Sequence, residues 1–529
     1  MAEPANGRWV EATTLGHLLD RRAEEHPDRV ALSFPGEQAT YGVLAERANL
    51  LARGLIGLGV GRGEPVGIML SNRVDSLAAL FAAAKIGAIP VPVNARFKGY
   101  ELNQVVTHSG LRVLLTEPAF TELLTETLGD GPRLVLPDDP EFLELAGRTP
   151  TEELRRRQAL VRVRDTAVVM YTSGTTASPK GAMLSHEAFC RFAAATVHER
   201  FELTPEDRIW TALPLFHIGG IAFAIASIYG GCSYVHTGFY DPVVALDQLE
   251  SQRCTIALPG FETIWLPVVN QPDFASRDLS ALRVVMAVGV PERLRDMASR
   301  LPSATQVSCF GMTEACSFLA LNHRSDSLEE RVTTGGHPLP GMECRVVDPQ
   351  TGVDLPPGTE GELVFRGSNC FDGYYKDPEL SQRVFDAEGW FHTGDIATMD
   401  ADGRVTFVSR LKDMLKVGGE NVSAAEVEGY LLRHDAVLMA QVVGAPDDHY
   451  VEVPAAFVQL KPGAEVTEQE LIDFCLGAIA TYRVPRYVRF VTEWPMSGTK
   501  IKKYVLRERV AEELRDRGIT RAPKLVSSR

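Results

Sequence analysis

The order of apolar segments along the first three-quarters of the chain constrains the fold more than any other feature. Residues 65–70 predict a buried strand, and residues 76–86 follow with helical spacing and many alanines. Residues 88–93 are extended, because a residue that precedes proline is pushed out of the helical region. The same pattern recurs at 112–117, 167–171 and 283–288. Strand–helix–strand order predicts parallel sheets covered by helices, hence an α/β fold.

The character of the sequence changes near residue 410. A charged bridge, residues 409–416, is followed by a predicted small α+β unit with a helix at 424–433, strands at 440–443, 454–460 and 487–491, and a helix that opens with Thr467 and Glu470 in capping-box spacing. A chain of 529 residues is too long for one ordinary core. We therefore expect a large N-terminal domain of helix-covered sheets (1–409), a hinge (410–412) and a small mobile α+β C-terminal domain (413–529).

Composition excludes several classes of protein. The formal net charge of −15 argues against a nucleic-acid partner. The most apolar window, residues 221–229, is too short to cross a bilayer, so we expect no integral membrane segment. The N-terminus lacks the apolar core of a secretory signal. The 8 cysteines contain no C-x-x-C pair, which argues against a disulfide framework or zinc site and favours the cytoplasm.

The loop at residues 171–181, Tyr-Thr-Ser-Gly-Thr-Thr-Ala-Ser-Pro-Lys-Gly, is the strongest chemical signal. It follows an apolar strand and precedes a helix pattern that begins near Ser185. Small residues, hydroxyls and Lys180 suit a polyphosphate. Because Pro179 occupies the second glycine position of the G-x-x-x-x-G-K-[ST] pattern, a P-loop NTPase is disfavoured. The alternative is a flexible surface turn.

Further motifs follow this loop in a fixed order: Ala212–His217, Phe310–Glu314, Gly389–Asp395, Arg410 with Lys412 and Asp413, Gly418–Ser423, and Lys500–Lys503. Together with the loop they resemble the adenylate-forming superfamily, in its acyl-CoA synthetase branch, over residues 12–510. The resemblance implies an acid–thiol ligase that forms an acyl-adenylate from ATP and a carboxylic acid, and then a thioester with CoA.

The resemblance also implies the roles of individual residues. The implied catalytic residues are Lys500, Glu314, Thr175 and His217. Glu314 would hold Mg²⁺ with an oxygen of Thr175 or Thr313. The implied nucleotide- and CoA-binding residues are Thr172, Ser173, Gly174, Thr175, Thr176, Lys180, Val290, Phe310, Gly311, Thr313, Asp395, Arg410, Gly418 and Gly419. From the residues alone, a surface carboxylate is the alternative for Glu314, and His217 is equally well explained as a packed histidine. Asp395 with Arg410 can be a salt bridge, and Lys500 can belong to a solvated charge run.

In the family, the two half-reactions use two orientations of the C-terminal domain. Lys412 lies at the position that resembles the hinge, where a few backbone angles absorb a rotation. Gly418 and Gly419 let the backbone pass close to a pantetheine arm. Ala177, Phe310 and Thr499 depart from the family pattern without removing a charged group.

The acyl pocket should be formed by segments around His217, 288–290 and 311–312. Ile218, Ile221 and Phe223 are apolar, and this segment lacks the Asp with which amino-acid-activating domains hold an ammonium. We therefore expect a hydrophobic acid, either fatty, alicyclic, steroid-derived or aromatic. For the assembly, the expectation is a homodimer. Two alternatives stay open: transfer of the acyl group to a carrier protein or other nucleophile, and a catalytically silent adenylate-binding protein.

Overall fold

The computed structural model describes residues 14–97, 99–172, 180–411, 414–417, 420–476, 478–497 and 500–525. The chain forms two compact units. The first comprises residues 1–344, 365–391 and 403–405, and the second comprises residues 345–364, 392–402 and 406–529. This division does not test the predicted hinge at 410–412, because residues 412 and 413 lie outside the described residues. The hinge stays a prediction.

The described helices of the first unit are α1 (Leu15–Glu25), α2 (Tyr41–Gly57), α3 (Val74–Lys85), α4 (Gly99–Ser109), α5 (Pro118–Leu128), α6 (Pro140–Arg148), α7 (Thr151–Gln158), α8 (His186–Ala194), α9 (Ile218–Gly230), α10 (Pro242–Ser251), α11 (Glu262–Val269), α12 (Pro291–Arg300), α13 (Leu328–Thr333) and α14 (Pro378–Val384). Its described strands are β1 (Val30–Phe34), β2 (Glu37–Thr40), β3 (Pro65–Met69), β4 (Ile89–Pro92), β5 (Val113–Thr116), β6 (Arg133–Val135), β7 (Thr166–Thr172), β8 (Lys180–Ser185), β9 (Arg208–Thr211), β10 (Ser233–His236), β11 (Ile256–Phe261), β12 (Val284–Val288), β13 (Thr305–Val307), β14 (Cys309–Met312), β15 (Ser317–Leu321) and β16 (His337–Pro338).

Two largely parallel sheets dominate this unit, as the sequence predicts. One has the strand order β13-β12-β11-β9-β10-β1-β2, and its pairs are parallel except for the antiparallel pair β1–β2. The other has the order β4-β3-β5-β6 and is parallel throughout. Helix α3 connects β3 to β4, and every residue of it is buried. The alanines predicted for this helix therefore allow close packing on all of its faces.

The apolar window at residues 221–229 forms most of α9. Its described residues from Gly220 to Tyr229 are all buried. A helix that is apolar on all sides belongs in the core of a large domain. None of the helices in the described ranges combines the length and apolar character needed to cross a membrane.

The loop at 171–181 connects two strands. Strand β7 pairs with β8 in antiparallel register, with Thr172 opposite Lys180. The predicted helix follows β8: Ser185 caps α8, and its side chain accepts from the amide of Ala188. The sequence pattern therefore located the strand and the helix correctly, but not the short strand between them.

The second unit begins with strands β17 (Met342–Val347), β18 (Gly361–Gly367), β19 (Phe391–Met399) and β20 (Val405–Arg410), which form a sheet in that order. Its other described strands and helices are β21 (Met414–Val417), β22 (Glu420–Ser423), α15 (Ala424–Leu431), β23 (Val437–Asp447), β24 (Val451–Leu460), α16 (Glu468–Cys475), β25 (Tyr487–Phe490), β26 (Met496–Ser497), β27 (Lys500–Ile501) and α17 (Lys503–Asp516).

Strands β21 to β25 form a sheet with a core on each face. Val442 and Ala456 belong to the core that includes helices α15 and α16. Their neighbours Val443 and Phe457 belong to the core that includes α17. Successive side chains of a strand point to opposite faces, so β23 and β24 contribute apolar side chains to both cores. The predicted capping box of Thr467 and Glu470 is present at α16. The predicted α+β character of this region is confirmed.

Candidate active site

The loop at residues 171–181, called the phosphate loop below for its expected role, begins and ends in the hairpin β7–β8. Ser173, Gly174, Thr175 and Thr176 lie outside the described residues, as do Ala177, Ser178 and Pro179. The expected roles of the first four stay predictions. Thr172 and Lys180 flank the loop as partners in the hairpin register. Both side chains are partly exposed.

The strand that enters the loop is anchored by Tyr171. Its hydroxyl lies 2.7 Å from Nδ1 of His108 on α4, and the two rings meet edge to face. Burial raises the pKa of Tyr171, so the phenol keeps its proton. Burial, with the nearby charge of Lys376, lowers the pKa of His108. A neutral histidine therefore accepts the hydrogen bond from Tyr171.

Glu314 lies in a short 3₁₀ turn, Thr313–Ala315, between β14 and β15. Only 9% of the residue is exposed. The hydroxyl of Tyr374 donates to Oε1 of Glu314 over 2.8 Å. The alternative of an ordinary surface carboxylate is therefore wrong, since a surface side chain would be well solvated.

Lys180 shares this tyrosine. Its Nζ lies 5.7 Å from the centroid of the Tyr374 ring, within the range of a cation–π contact. An ammonium and a buried carboxylate of the first unit thus both contact one aromatic side chain. Neither contact is visible in the sequence, where Tyr374 lies far from both partners.

The strand β14 leads directly into the 3₁₀ turn that contains Glu314. Phe310 is buried, and it pairs with Ala320 of β15. The register shifts between Phe310 and Gly311, which is exposed. The Thr313 carbonyl accepts from the amide of Cys316 over 3.0 Å and closes the turn.

His217 caps the N-terminus of α9. Its backbone amide donates to the carbonyl of Pro214 over 3.0 Å, and its ring meets that of Phe216 at 4.8 Å. The side chain is partly exposed. The helix that follows is the buried α9, so His217 lies where the apolar core of the unit reaches the surface. Its proposed role as a gate stays a prediction.

Val290 precedes α12, and its backbone contacts an ion pair between Glu262 and Arg293 that the sequence did not reveal. The Val290 amide donates to Oε2 of Glu262 over 3.0 Å, and Nη1 of Arg293 lies 2.8 Å from Oε1. A Cβ at Gly289 would overlap the Glu262 carboxylate, so a larger residue there would displace the Glu262 side chain. Burial raises the pKa of Glu262. A charged pair therefore borders a segment expected to line the acyl pocket.

In the second unit, Asp395 on β19 pairs with Arg410 at the end of β20. Nε of Arg410 lies 3.0 Å from Oδ1 of Asp395. The Asp395 amide donates to the Thr393 hydroxyl over 3.0 Å. Glu362, on the neighbouring strand β18, accepts from the Gly394 amide over 3.0 Å. The salt bridge considered for Asp395 is thus present, and a role in ribose binding stays a prediction.

Four other expected positions give no side-chain geometry. Lys412, Gly418 and Gly419 lie outside the described residues, and only the backbone of Lys500 is described. Lys500 lies in the short strand β27, where it pairs with Ser497.

The donor set near the loop fits a nucleotide-bound magnesium ion. Mg²⁺ is usually held by one or two carboxylates together with substrate phosphates. Glu314 supplies one buried carboxylate, with one of its oxygens fixed by Tyr374. Within the described ranges, His, Cys, Asp and Glu side chains form no group of three or more able to hold a metal. The described residues therefore fit a shared Mg²⁺–ATP site better than an all-protein cage.

Comparison with known proteins identifies the family. The sequence profile of the AMP-binding enzyme family matches residues 19–375, and that of the AMP-binding enzyme C-terminal domain matches residues 426–500. Feruloyl-CoA synthase of an Amycolatopsis species is 34% identical over 94% of this chain and 99% of its own. A mitochondrial medium-chain acyl-CoA ligase of Bos taurus is 30% identical over 96% of this chain and 89% of its own.

Solved structures agree with these sequence matches. The structure of the anthranilate CoA ligase AuaEII in complex with anthranoyl-AMP matches with a TM-score of 0.84 and 27% identity. The match covers 95% of this chain and 98% of that chain. The chain belongs to the AMP-binding enzyme family, in the acyl-CoA synthetase branch of the adenylate-forming superfamily, and is an AMP-forming acid–CoA ligase.

Proposed function

We propose that this ligase activates a hydrophobic carboxylic acid, aromatic or fatty, as its acyl-adenylate and transfers the acyl group to CoA. In the first step, a carboxylate oxygen attacks the α-phosphorus of ATP and pyrophosphate leaves. In the second step, the CoA sulfur attacks the carbonyl carbon and AMP leaves. The names of the relatives, which specify feruloyl, anthranilate and medium-chain acyl substrates, support this range of acids.

The main support for the proposal is that Glu314 and Lys180 both contact Tyr374: Glu314 accepts its hydrogen bond, and Lys180 lies over its ring. Attack of one anion on another needs positive charge placed in advance at the reacting phosphate. Lys180 supplies a cation at the end of the phosphate loop, and Glu314 supplies the carboxylate for Mg²⁺. When bound, Mg²⁺ neutralises the charge of the nucleotide phosphates.

The remaining residues of the site have roles in this proposal. Thr172, the loop residues 173–176, Val290, Phe310, Gly311 and Thr313 bind the nucleotide, while Asp395 and Arg410 bind its ribose. Lys500 stabilises the developing charge at the α-phosphate. Gly418 and Gly419 accommodate the pantetheine arm of CoA, and Lys412 is the hinge.

The apolar character of the acid is supported by the buried helix α9 behind His217. The ion pair Glu262–Arg293 is consistent with an apolar acid, because its two charges neutralise each other. The Val290 amide also binds the carboxylate of Glu262. A cytoplasmic location and a homodimeric state stay predictions.

A pyrophosphate-release screen over fatty, alicyclic, steroid-derived and aromatic acids, with and without CoA, tests the proposal. We expect release with a hydrophobic acid and formation of its CoA thioester. Release without a thioester would show that the acyl group passes to another nucleophile, such as a carrier protein. No release with any acid would contradict the proposal and favour a silent adenylate-binding protein.

A further inference from the structure

Residues 371–376 form a short irregular segment that ends in a turn and lies beside strand β8 of the first unit. The Tyr375 amide donates to the carbonyl of Gly181 over 2.7 Å, and the Met183 amide donates to the carbonyl of Gly373 over 3.0 Å. Tyr374 lies opposite Ala182 in an antiparallel bridge. The backbone of Tyr374 is therefore fixed to the strand that begins with Lys180.

The same segment is bound to the turn that carries Glu314. The Phe371 amide donates to the backbone carbonyl of Glu314 over 2.8 Å. The Tyr374 hydroxyl donates to the Glu314 side chain, also over 2.8 Å. Tyr374 is 6% exposed and Glu314 9%, so this hydrogen bond lies largely out of water. A hydrogen bond to an ionised carboxylate in such surroundings is strong and restricts the rotamer of the acid.

Tyr374 thus contacts two groups of opposite charge with different parts of its side chain. The hydroxyl binds the anion Glu314, whereas the ring faces the cation Lys180 at 5.7 Å. The negative face of an aromatic ring attracts an ammonium without a hydrogen bond. Both contacts therefore form at once and do not compete.

We propose that Tyr374 is a positioning residue for the adenylation step. Its hydroxyl holds Oε1 of Glu314 and thereby fixes the carboxylate that would hold the Mg²⁺ of the bound nucleotide. Its ring holds Lys180 at the end of the phosphate loop. This role rests on the proposed functions of Glu314 and Lys180. Misplacement of such groups by about 1 Å is enough to cost about a hundredfold in rate.

The backbone around Tyr374 is fixed by contacts that do not involve the Tyr374 hydroxyl. The Tyr374 amide donates to the Ser381 hydroxyl over 2.8 Å. Gly373 has a φ of +117°, and a Cβ there would press on the same hydroxyl. The Lys376 ammonium donates to the carbonyls of His108 and Ser109 over 3.1 and 3.0 Å. A Tyr374→Phe variant should therefore keep the fold and lose the hydrogen bond to Glu314.

The test measures binding of α,β-methylene-ATP, whose α–β bridge is not cleaved, by calorimetry at a series of Mg²⁺ concentrations. In Tyr374→Phe we expect the half-saturating Mg²⁺ concentration to rise about tenfold or more, as for loss of a hydrogen bond to a charged group. The affinity at saturating Mg²⁺ should stay within about twofold, because the ring still faces Lys180. Tyr375→Phe is the matched control. It removes a hydroxyl one residue away, and it should bind like the wild type.

Tyr374→Leu removes the ring as well, so it should also weaken binding at saturating Mg²⁺. A purely structural role would lower the melting temperature of these variants without moving the Mg²⁺ requirement. Tyr374→Phe with the Mg²⁺ requirement of the wild type would overturn the role at Glu314. A folded Tyr374→Leu with the affinity of Tyr374→Phe would overturn the role at Lys180.

Glu314→Gln separates this inference from the proposed function. If Glu314→Gln raises the Mg²⁺ requirement and Tyr374→Phe does not, Glu314 keeps its metal role and Tyr374 is not its positioning residue. If neither variant changes the requirement, both assignments are wrong. The pyrophosphate screen of the wild type is independent of either result.

Discussion

Asp395 and Arg410 form an ion pair in which the anion is buried and the cation is not. The Nε–Oδ1 distance is 3.0 Å, and the exposed fractions of the two side chains are 2% for Asp395 and 41% for Arg410. An exposed arginine can turn toward another partner at low cost, whereas a buried carboxylate stays where the fold places it. The pair is therefore compatible with exchange of the Asp395–Arg410 contact for the hydroxyls of a ribose.

The first prediction concerns Asp395→Asn. If the carboxylate accepts both ribose hydroxyls, the variant should bind ATP about ten- to a hundredfold more weakly, as expected when a charged hydrogen-bond partner is lost. The wild type should discriminate against 2′,3′-dideoxy-ATP, and the variant should lose most of that discrimination. Competitive binding of the two nucleotides measures both effects.

Asp400→Asn is the control for this prediction, because residue 400 is exposed just beyond the end of the same strand. It should leave both nucleotide affinities unchanged. Equal discrimination by Asp395→Asn and the wild type would show that Asp395 serves the salt bridge alone.

The second prediction concerns Lys500→Ala. The loss of one charged donor at the transition state should slow adenylation about 100- to 1,000-fold. Thioester formation from a supplied acyl-adenylate and CoA should continue near the rate of the wild type. Lys502→Ala removes a neighbouring ammonium and serves as the control. Equal damage of Lys500→Ala to both half-reactions would argue against the assignment.

The sequence predicted most of the fold because burial and periodicity are local signals. The strand at 65–69 and the helix at 74–85 lie within a few residues of the predicted segments. The capping box at Thr467 needs only two residues three positions apart, so both of its hydrogen bonds could be predicted from the sequence. The hairpin β7–β8 was missed, because a strand of six residues directly before a helix has no separate pattern of its own.

The contacts of the candidate site were less predictable. The chemistry of Glu314 and Lys180 can be inferred from their motifs, but Tyr374 lies 60 residues beyond Glu314 and has no charge to mark it. The pair Glu262–Arg293 likewise depends on the close approach of two helix starts. Such contacts arise from tertiary packing, about which a single sequence contains no direct signal.

The third prediction concerns the hinge. Proline fixes its own φ and restricts the preceding residue, so Lys412→Pro should hinder a rotation about this position. We expect the thioester step to slow more than adenylation in single-turnover assays of the two half-reactions. Lys412→Ala removes the same ammonium without the ring and should affect both steps equally. Unchanged rates in the proline variant would rule out a hinge at this residue.

The last prediction concerns two buried histidines that make the folded protein less stable at acidic pH. His186 and His236 are at most 1% exposed, and burial lowers the pKa of each to about 4. His236 is held neutral: Nε2 donates to the Leu213 carbonyl over 3.0 Å, and Nδ1 accepts from the Gly238 amide over 2.8 Å. In the unfolded chain the pKa is about 6.5. Below that value only the unfolded chain takes up the proton, so stability falls as the pH drops toward 4.

Each of these histidines should therefore remove about 2 kcal/mol from the free energy of unfolding between pH 7 and pH 5. His236→Gln keeps a donor for the Leu213 carbonyl but does not titrate, so its urea midpoint should fall less over this interval than that of the wild type. His17→Gln, which changes an exposed histidine, is the control and should keep the full fall. If His236→Gln loses as much stability as the wild type, the acid sensitivity arises elsewhere in the protein.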